Sequence, residues 1–147
     1  MTKATRILLV DDDPAGAELT AAALHELGLG DNISMASDGE EALDFLFRRG
    51  PHADAPDAPP AVILLDLKMP KVDGHEVLRQ IRADPRLRRS RVVVLTSSDQ
   101  EADINRSREL GTDAYLVKPT SIVELIDQLG RLSPQWKQDS ACPPQPS

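Results

Sequence analysis

The strongest constraint on this chain is an alternation. Short apolar runs at 6–10, 33–36, 61–65, 92–95 and 114–117 are separated by helix-length amphipathic segments. Such alternation is the signature of β-α units laid around a parallel sheet. Three of the runs are continuously apolar, a pattern suited to central strands covered on both faces; the run at 33–36 is the weakest. The intervening segments carry helix start and stop signals. Asp13 and Pro14 place a capping acid before a proline at the first helical position. Ser37/Glu40, Asp73/Glu76, Ser98/Glu101 and Ser121/Glu124 have capping-box spacing, and Gly28, Gly50, Gly111 and Gly130 are expected to end helices.

The expected core faces are Leu19, Ala23 and Leu27; Ala42, Leu43 and Leu46; Val77, Leu78 and Ile81; and Ile122, Val123, Ile126 and Leu129. The helical segment at 99–110 offers only Ile104, Leu110 and a small alanine, so it is expected to be the most weakly anchored. Residues 50–60 are proline-rich and read as an extended loop. From Ser133 the chain is polar and proline-rich, with Trp136 its one large apolar residue, either an anchor that folds back onto the domain or onto a partner subunit, or part of a mobile tail. A single domain at 4–132 is expected, followed by an extension at 133–147 and no output domain.

Composition excludes several functions. No apolar run approaches the roughly 20 residues of a membrane span, and the N-terminus has no leader pattern. The single cysteine, Cys142, cannot form an internal disulfide, which fits a cytoplasmic location. A net charge of −7 argues against nucleic-acid binding, and the basic run at Arg86, Arg88, Arg89 and Arg91 reads as a solvated loop. His25, His52 and His75 read as surface residues.

The ends of the apolar runs carry the chemistry. The run at 62–65 drives straight into Asp66, although an aspartate is a poor strand residue and costly to desolvate. The first run ends at Asp11, Asp12 and Asp13, the fourth at Thr96, and the fifth at Lys118. In a right-handed parallel sheet all these ends share one edge, where ligands of such folds bind. Asp11, Asp12 and Asp66 would converge there, and three close carboxylates call for protons or a cation. Hard oxygen donors with room for waters suit Mg²⁺ or Mn²⁺. Beside a metal, Asp66 could act as a nucleophile toward a phosphoryl group, with Lys118 and Thr96 as donors to its oxygens.

The blocks ILLVDDDP, VILLDLKMPKVDG, VVVLTSS and AYLVKP resemble the signature blocks of two-component response-regulator receiver domains over about residues 4–132. The resemblance implies a flavodoxin-like receiver fold: a doubly wound, five-stranded parallel sheet of order 2-1-3-4-5 with five helices. It implies Asp66 as phosphoacceptor, Asp12 as principal Mg²⁺ ligand assisted by Asp11, and the Lys68 backbone carbonyl as a further ligand. It makes Thr96 and Tyr115 a switch pair and assigns the Lys68 and Ser98 side chains a part in phosphoryl lifetime. It further implies a cis Lys118–Pro119 bond, a sensor histidine kinase as partner, and a switching face made by the fourth helix, fifth strand and fifth helix. The stretch from Gly39 through the extended loop is similar to stand-alone phytochrome-associated regulators, which implies a bacteriophytochrome-type or hybrid kinase. It also implies dimerisation through the switching face and C-terminal extension.

Two other classes compete. A haloacid-dehalogenase-type phosphatase also uses an aspartate nucleophile and Mg²⁺, but it wants a second acid where this chain has Lys68. A flavodoxin-type cofactor binder would want more than four aromatic residues and a phosphate-cradling loop after the first strand.

Overall fold

The computed structural model describes residues 5–50, 59–69 and 71–141, the last five of these by backbone alone. Five strands and five helices alternate: β1 (Ile7–Val10), α1 (Pro14–Glu26), β2 (Ile33–Ala36), α2 (Gly39–Phe47), β3 (Val62–Leu65), α3 (Gly74–Ala83), β4 (Arg91–Thr96), α4 (Glu101–Glu109), β5 (Ala114–Val117) and α5 (Ile122–Ala141). The sheet has the expected order β2-β1-β3-β4-β5, and every pairing is parallel.

The continuous apolar runs follow from burial on both sides. Ile7, Leu9, Val62, Leu64, Val93 and Leu95 face one layer, packed with Ala23 and Leu24 of α1 and Leu125 and Leu129 of α5. Leu8, Val10, Ile63, Leu65 and Val92 face the other, with Leu43 and Leu46 of α2 and Val77, Leu78 and Ile81 of α3. Successive strand residues point to opposite faces, so both must be apolar when both faces are covered. Among the described residues, no member of α4 itself belongs to either cluster.

Local expectations hold in part. Asp13 accepts from the amide of Ala15 at 3.2 Å and Asp73 from that of Glu76 at 3.0 Å, so α1 and α3 are capped as expected. The α2 cap sits one residue later than expected: Asp38 accepts from the Glu41 amide at 2.7 Å, and the Glu41 carboxylate accepts from the Ser37 amide. Ser98 does not act as the expected helix cap: α4 begins from Gln100 without a side-chain cap, and the Ser98 hydroxyl accepts from the Gln100 amide at 3.4 Å and donates to Asp103. Gly28, Gly50 and Gly111 take positive φ, whereas Gly130 ends no helix. It lies inside α5, where an added Cβ would come 3.3 Å from Leu27 Cδ2, so its lack of a side chain lets α5 approach α1. Leu19 and Val123 are exposed, at 37% and 72%, and Leu24 and Leu125 occupy the core positions instead.

The last helix runs past the expected boundary at 132 to Ala141, with Pro134 inside it. Proline removes the amide that would bond the carbonyl four residues back. Here that carbonyl, Gly130 O, accepts from Ser133 Oγ at 3.4 Å. Trp136, 2% exposed, is part of the α1–α5 core layer and gives the continuation an apolar anchor. Most of the proline-rich loop, with His52, and Cys142 lie outside the described residues.

Candidate functional site

Strand geometry brings the ionisable residues together. The amide of Asp11 donates to Ala36 O at 3.1 Å, that of Asp66 to Val10 O at 3.0 Å, and that of Lys118 to Thr96 O at 2.7 Å. These bonds extend the ladder one residue beyond the strands and bring the three side chains to one crevice. Asp11 and Asp66 are buried, Asp12 is exposed, and their carboxylate oxygens lie within 4.8 Å of one another. Lys118 Nζ donates to Asp11 Oδ2 at 2.8 Å and to Asp66 Oδ2 at 3.2 Å. Backbone amides serve the other oxygens: Asp13 N reaches Asp11 Oδ1 at 2.9 Å and Lys68 N reaches Asp66 Oδ1 at 3.2 Å. The start of α3 passes so close that a Cβ on Gly74 would lie 2.3 Å from Asp66 O, and any side chain there would push the two apart.

Burial and pairing compete in the crevice. Burial pushes the Asp11 carboxyl above the ordinary carboxylate range, against the opposing pull of Lys118. Burial would lower the Lys118 ammonium, but its bonds to Asp11 and Asp66 outweigh that and raise it overall. Beside these groups an open cleft of about 360 Å³ is lined by Asp12, Leu67, Lys68, Met69, Asp73 and His75. Three carboxylates with one exposed to solvent form a hard oxygen donor set with room for waters, which fits a small divalent cation.

Thr96 is fully buried at the end of β4, and its hydroxyl oxygen accepts from Ser98 N at 3.5 Å. Tyr115 OH donates to Ser98 O at 2.8 Å, so the two expected switch residues meet through Ser98. Burial raises the Tyr115 phenol. The Lys118–Pro119 bond is trans, not cis as the resemblance implies; trans is the intrinsically favoured isomer even before proline.

Sequence reasoning missed one centre and misread one histidine. Asp103, on the first turn of α4, accepts from Ser98 Oγ at 2.5 Å and pairs with Lys68 Nζ at 3.4 Å. The Ser98 bond, and then the Lys68 charge, hold its carboxyl below the ordinary range. His75 is half-buried rather than a free surface residue: its Nε2 lies 3.2 Å from Ser107 Oγ and 3.4 Å from Asp103 O. The available signal was polar: Asp103 and Ser107 stand four apart, one helical turn, on a helix with few apolar residues. The basic run is also more than solvated loop. An Arg86 guanidinium nitrogen bonds Leu46 O, and Arg91 Nη1 bonds Gln135 Oε1 at 3.3 Å, while Arg88 and Arg89 are exposed.

The response regulator receiver domain model matches residues 7–130. The chain belongs to the response regulator receiver domain family. It is 41% identical over 130 residues to the probable methanogenesis regulatory protein FilR2 of Methanothrix harundinacea (strain 6Ac), covering 88% of this chain and 82% of that protein. It is 36% identical over 137 residues to response regulator Rcp1 of Synechocystis sp. (strain ATCC 27184 / PCC 6803 / Kazusa), covering 93% and 92%. The Mn²⁺-bound form of Rcp1 superposes with a TM-score of 0.82 at 35% identity, over 95% of this chain and 99% of that one. The phosphorylated cyanobacterial phytochrome response regulator RcpA superposes with a TM-score of 0.84 at 35% identity, over 97% and 100%.

Receiver domains are signalling modules that bind a divalent metal and interact with histidine kinases, and phosphorylation on an aspartate is their family feature. The receiver match sets aside the dehalogenase and flavodoxin alternatives. No helix among the described residues is long and apolar enough to cross a membrane.

Proposed function

We propose that this receiver is a phosphorylation switch in which Asp66 accepts a phosphoryl group from the phosphohistidine of a sensor kinase. The observation that carries the reading is Lys118 Nζ, which bonds both Asp11 and Asp66 at the edge of the sheet. In the transfer, an Asp66 carboxylate oxygen forms the new bond to phosphorus. The histidine N–P bond breaks, its electron pair stays on the imidazole, and a proton restores the neutral ring. Lys118 leaves part of its pairing with Asp66 to meet the incoming oxygens, and the buried Thr96 hydroxyl supplies a further donor. Asp11, Asp12, Asp66 and the Lys68 carbonyl would hold Mg²⁺, or Mn²⁺ in its place. Bound there, the cation neutralises charge on the phosphoryl oxygens.

The output follows from the bond path. Drawing Thr96 toward the phosphoryl group pulls on Ser98, whose carbonyl holds Tyr115, and so alters the α4-β5-α5 face. Val117 and Val123 expose apolar surface there, at 37% and 72%, and suit pairing with a second copy through that face and the continuation of α5. We take the receiver unit as 4–132 and 133–147 as its extension. The likeness to Rcp1 and RcpA points to a phytochrome-type kinase as the donor.

Acetyl phosphate with Mg²⁺ tests the assignment. The native chain should gain a hydroxylamine-sensitive acyl phosphate and Asp66→Asn should gain none; equal labelling of the two proteins would overturn it.

A further inference from the structure

The polar centre on α4 touches both side chains that flank the phosphorylation site without ligating it. Lys68 stands two residues beyond Asp66 and Ser98 two beyond Thr96. Their donors converge on one atom, Asp103 Oδ2, at 3.4 Å from Lys68 Nζ and 2.5 Å from Ser98 Oγ. Both residues are also bound to the site by their backbones: Lys68 N donates to Asp66 Oδ1 and Ser98 N to Thr96 Oγ1. The Lys68 side chain is 65% exposed, so its flexible stem can swing without disturbing the core.

The anchoring of α4 gives this convergence its consequence. Within α4 only Ser107 is fully buried, and it is polar. Beside a half-buried Ile104, the helix's hydrogen bonds and ion pair join His75 to Ser107 Oγ and Asp103 O, and Asp103 to Lys68 and Ser98. A phosphoryl group adds close to two negative charges and three strong acceptor oxygens beside those donors. Charged acceptors draw shorter, stronger hydrogen bonds, and an ammonium can be shared with only one of two separated anions at full strength.

Given Asp66 as phosphoacceptor, we propose that Asp103 is a positioning residue for the phosphoryl reaction: it competes with the phosphoryl oxygens for Lys68 and Ser98. Occupation of Asp66 then takes two donors away from α4 and loosens that helix. Removal of Asp103 hands both donors to the phosphoryl group in advance. The rival role is local, because an acid in the first turn also stabilises the helix start through its dipole.

A double-mutant cycle separates the two roles. Beryllofluoride with Mg²⁺ is titrated by calorimetry into the full chain, Lys68→Ala, Asp103→Asn and the double variant. Competition predicts that Lys68→Ala weakens binding more in the Asp103→Asn background than in the native one, by about two- to fivefold, the range of a single exposed ion pair. Ser98→Ala should couple to Asp103→Asn in the same direction. Hydrogen exchange of the amides at 101–109 should quicken in native protein on adding beryllofluoride, and in Asp103→Asn without it. Additive effects of both pairs would overturn the inference while leaving Asp66 as phosphoacceptor. A native chain that binds no beryllofluoride would overturn the phosphoacceptor reading first.

Discussion

The helices α3 and α4 begin in equivalent places, each just past a strand end that carries a site residue, yet they are held by opposite means. α3 buries Val77, Leu78 and Ile81 completely and is capped by Asp73. α4 buries only Ser107 and has no side-chain cap; Asp103 and Ser107 tie it to Lys68, Ser98 and His75. Apolar burial is non-directional and offers a new anion nothing to bind. Hydrogen bonds and ion pairs can change partners. One helix therefore frames the crevice, and the other can respond to what enters it.

The contrast can be broken or sharpened in steps of falling size. Leu78→Ala in α3 should cost about 2–5 kcal/mol in urea unfolding, as for other fully buried leucines, while Ile104→Ala in α4 should cost less than half as much. Equal losses would put α4 on the same footing as α3.

A smaller effect concerns the polar crevice itself. The folded-state pKa of Asp11 lies above its ordinary value of 3.8, so the native chain holds that proton more tightly than the unfolded one. The stability this group contributes is present at low pH and is lost as pH rises through the raised value. At neutral pH the buried charge is a net cost in the metal-free protein. Asp11→Asn should then raise the thermal midpoint at neutral pH, with the gain shrinking toward pH 4. Added Mg²⁺ should stabilise the native chain more than the variant, reversing the order. A lower midpoint for metal-free Asp11→Asn at neutral pH would contradict the sign.

His75→Ala removes a tie between the two helices. Its global cost should be about 1 kcal/mol or less, the scale of one hydrogen bond, yet exchange at 101–109 should quicken while that at 77–81 stays put. Smallest of all, going from 0.1 to 1 M salt shortens the screening length from about 10 to about 3 Å. Protection of α4 should fall by about 0.2–1 kcal/mol through the Lys68–Asp103 pair, with the core amides of α3 unmoved.

Much of the frame could be read from residue patterns. The unbroken apolar runs at 62–65 and 92–95 mark strands covered on both faces, and the sheet buries them so. Asp66, Asp11 and Lys118 were legible because each is an ionisable group at the end of such a run, and parallel topology gathers those ends. The continuation of α5 was not legible. Pro134 signals a break, and nothing local shows that Ser133 serves the freed carbonyl or that Trp136 reaches the α1–α5 layer. Gly130 misled for a related reason, since it lies against Leu27, at the end of a helix far back in the chain.

Short-range chemistry thus accounts for the element types, their alternation, the caps at Asp13 and Asp73, and the presence of acids, a hydroxyl and a lysine at strand ends. Those features depend on neighbours within a few residues, which the chain carries everywhere. Contacts across long separations account for the rest: Lys118 bridging carboxylates 107 and 52 residues away, Trp136 joining the α1–α5 layer, and Asp103 gathering donors from two loops. Distance along the chain hides such partners, because a polar residue reads the same whether it meets water or another side chain until the fold brings the two together.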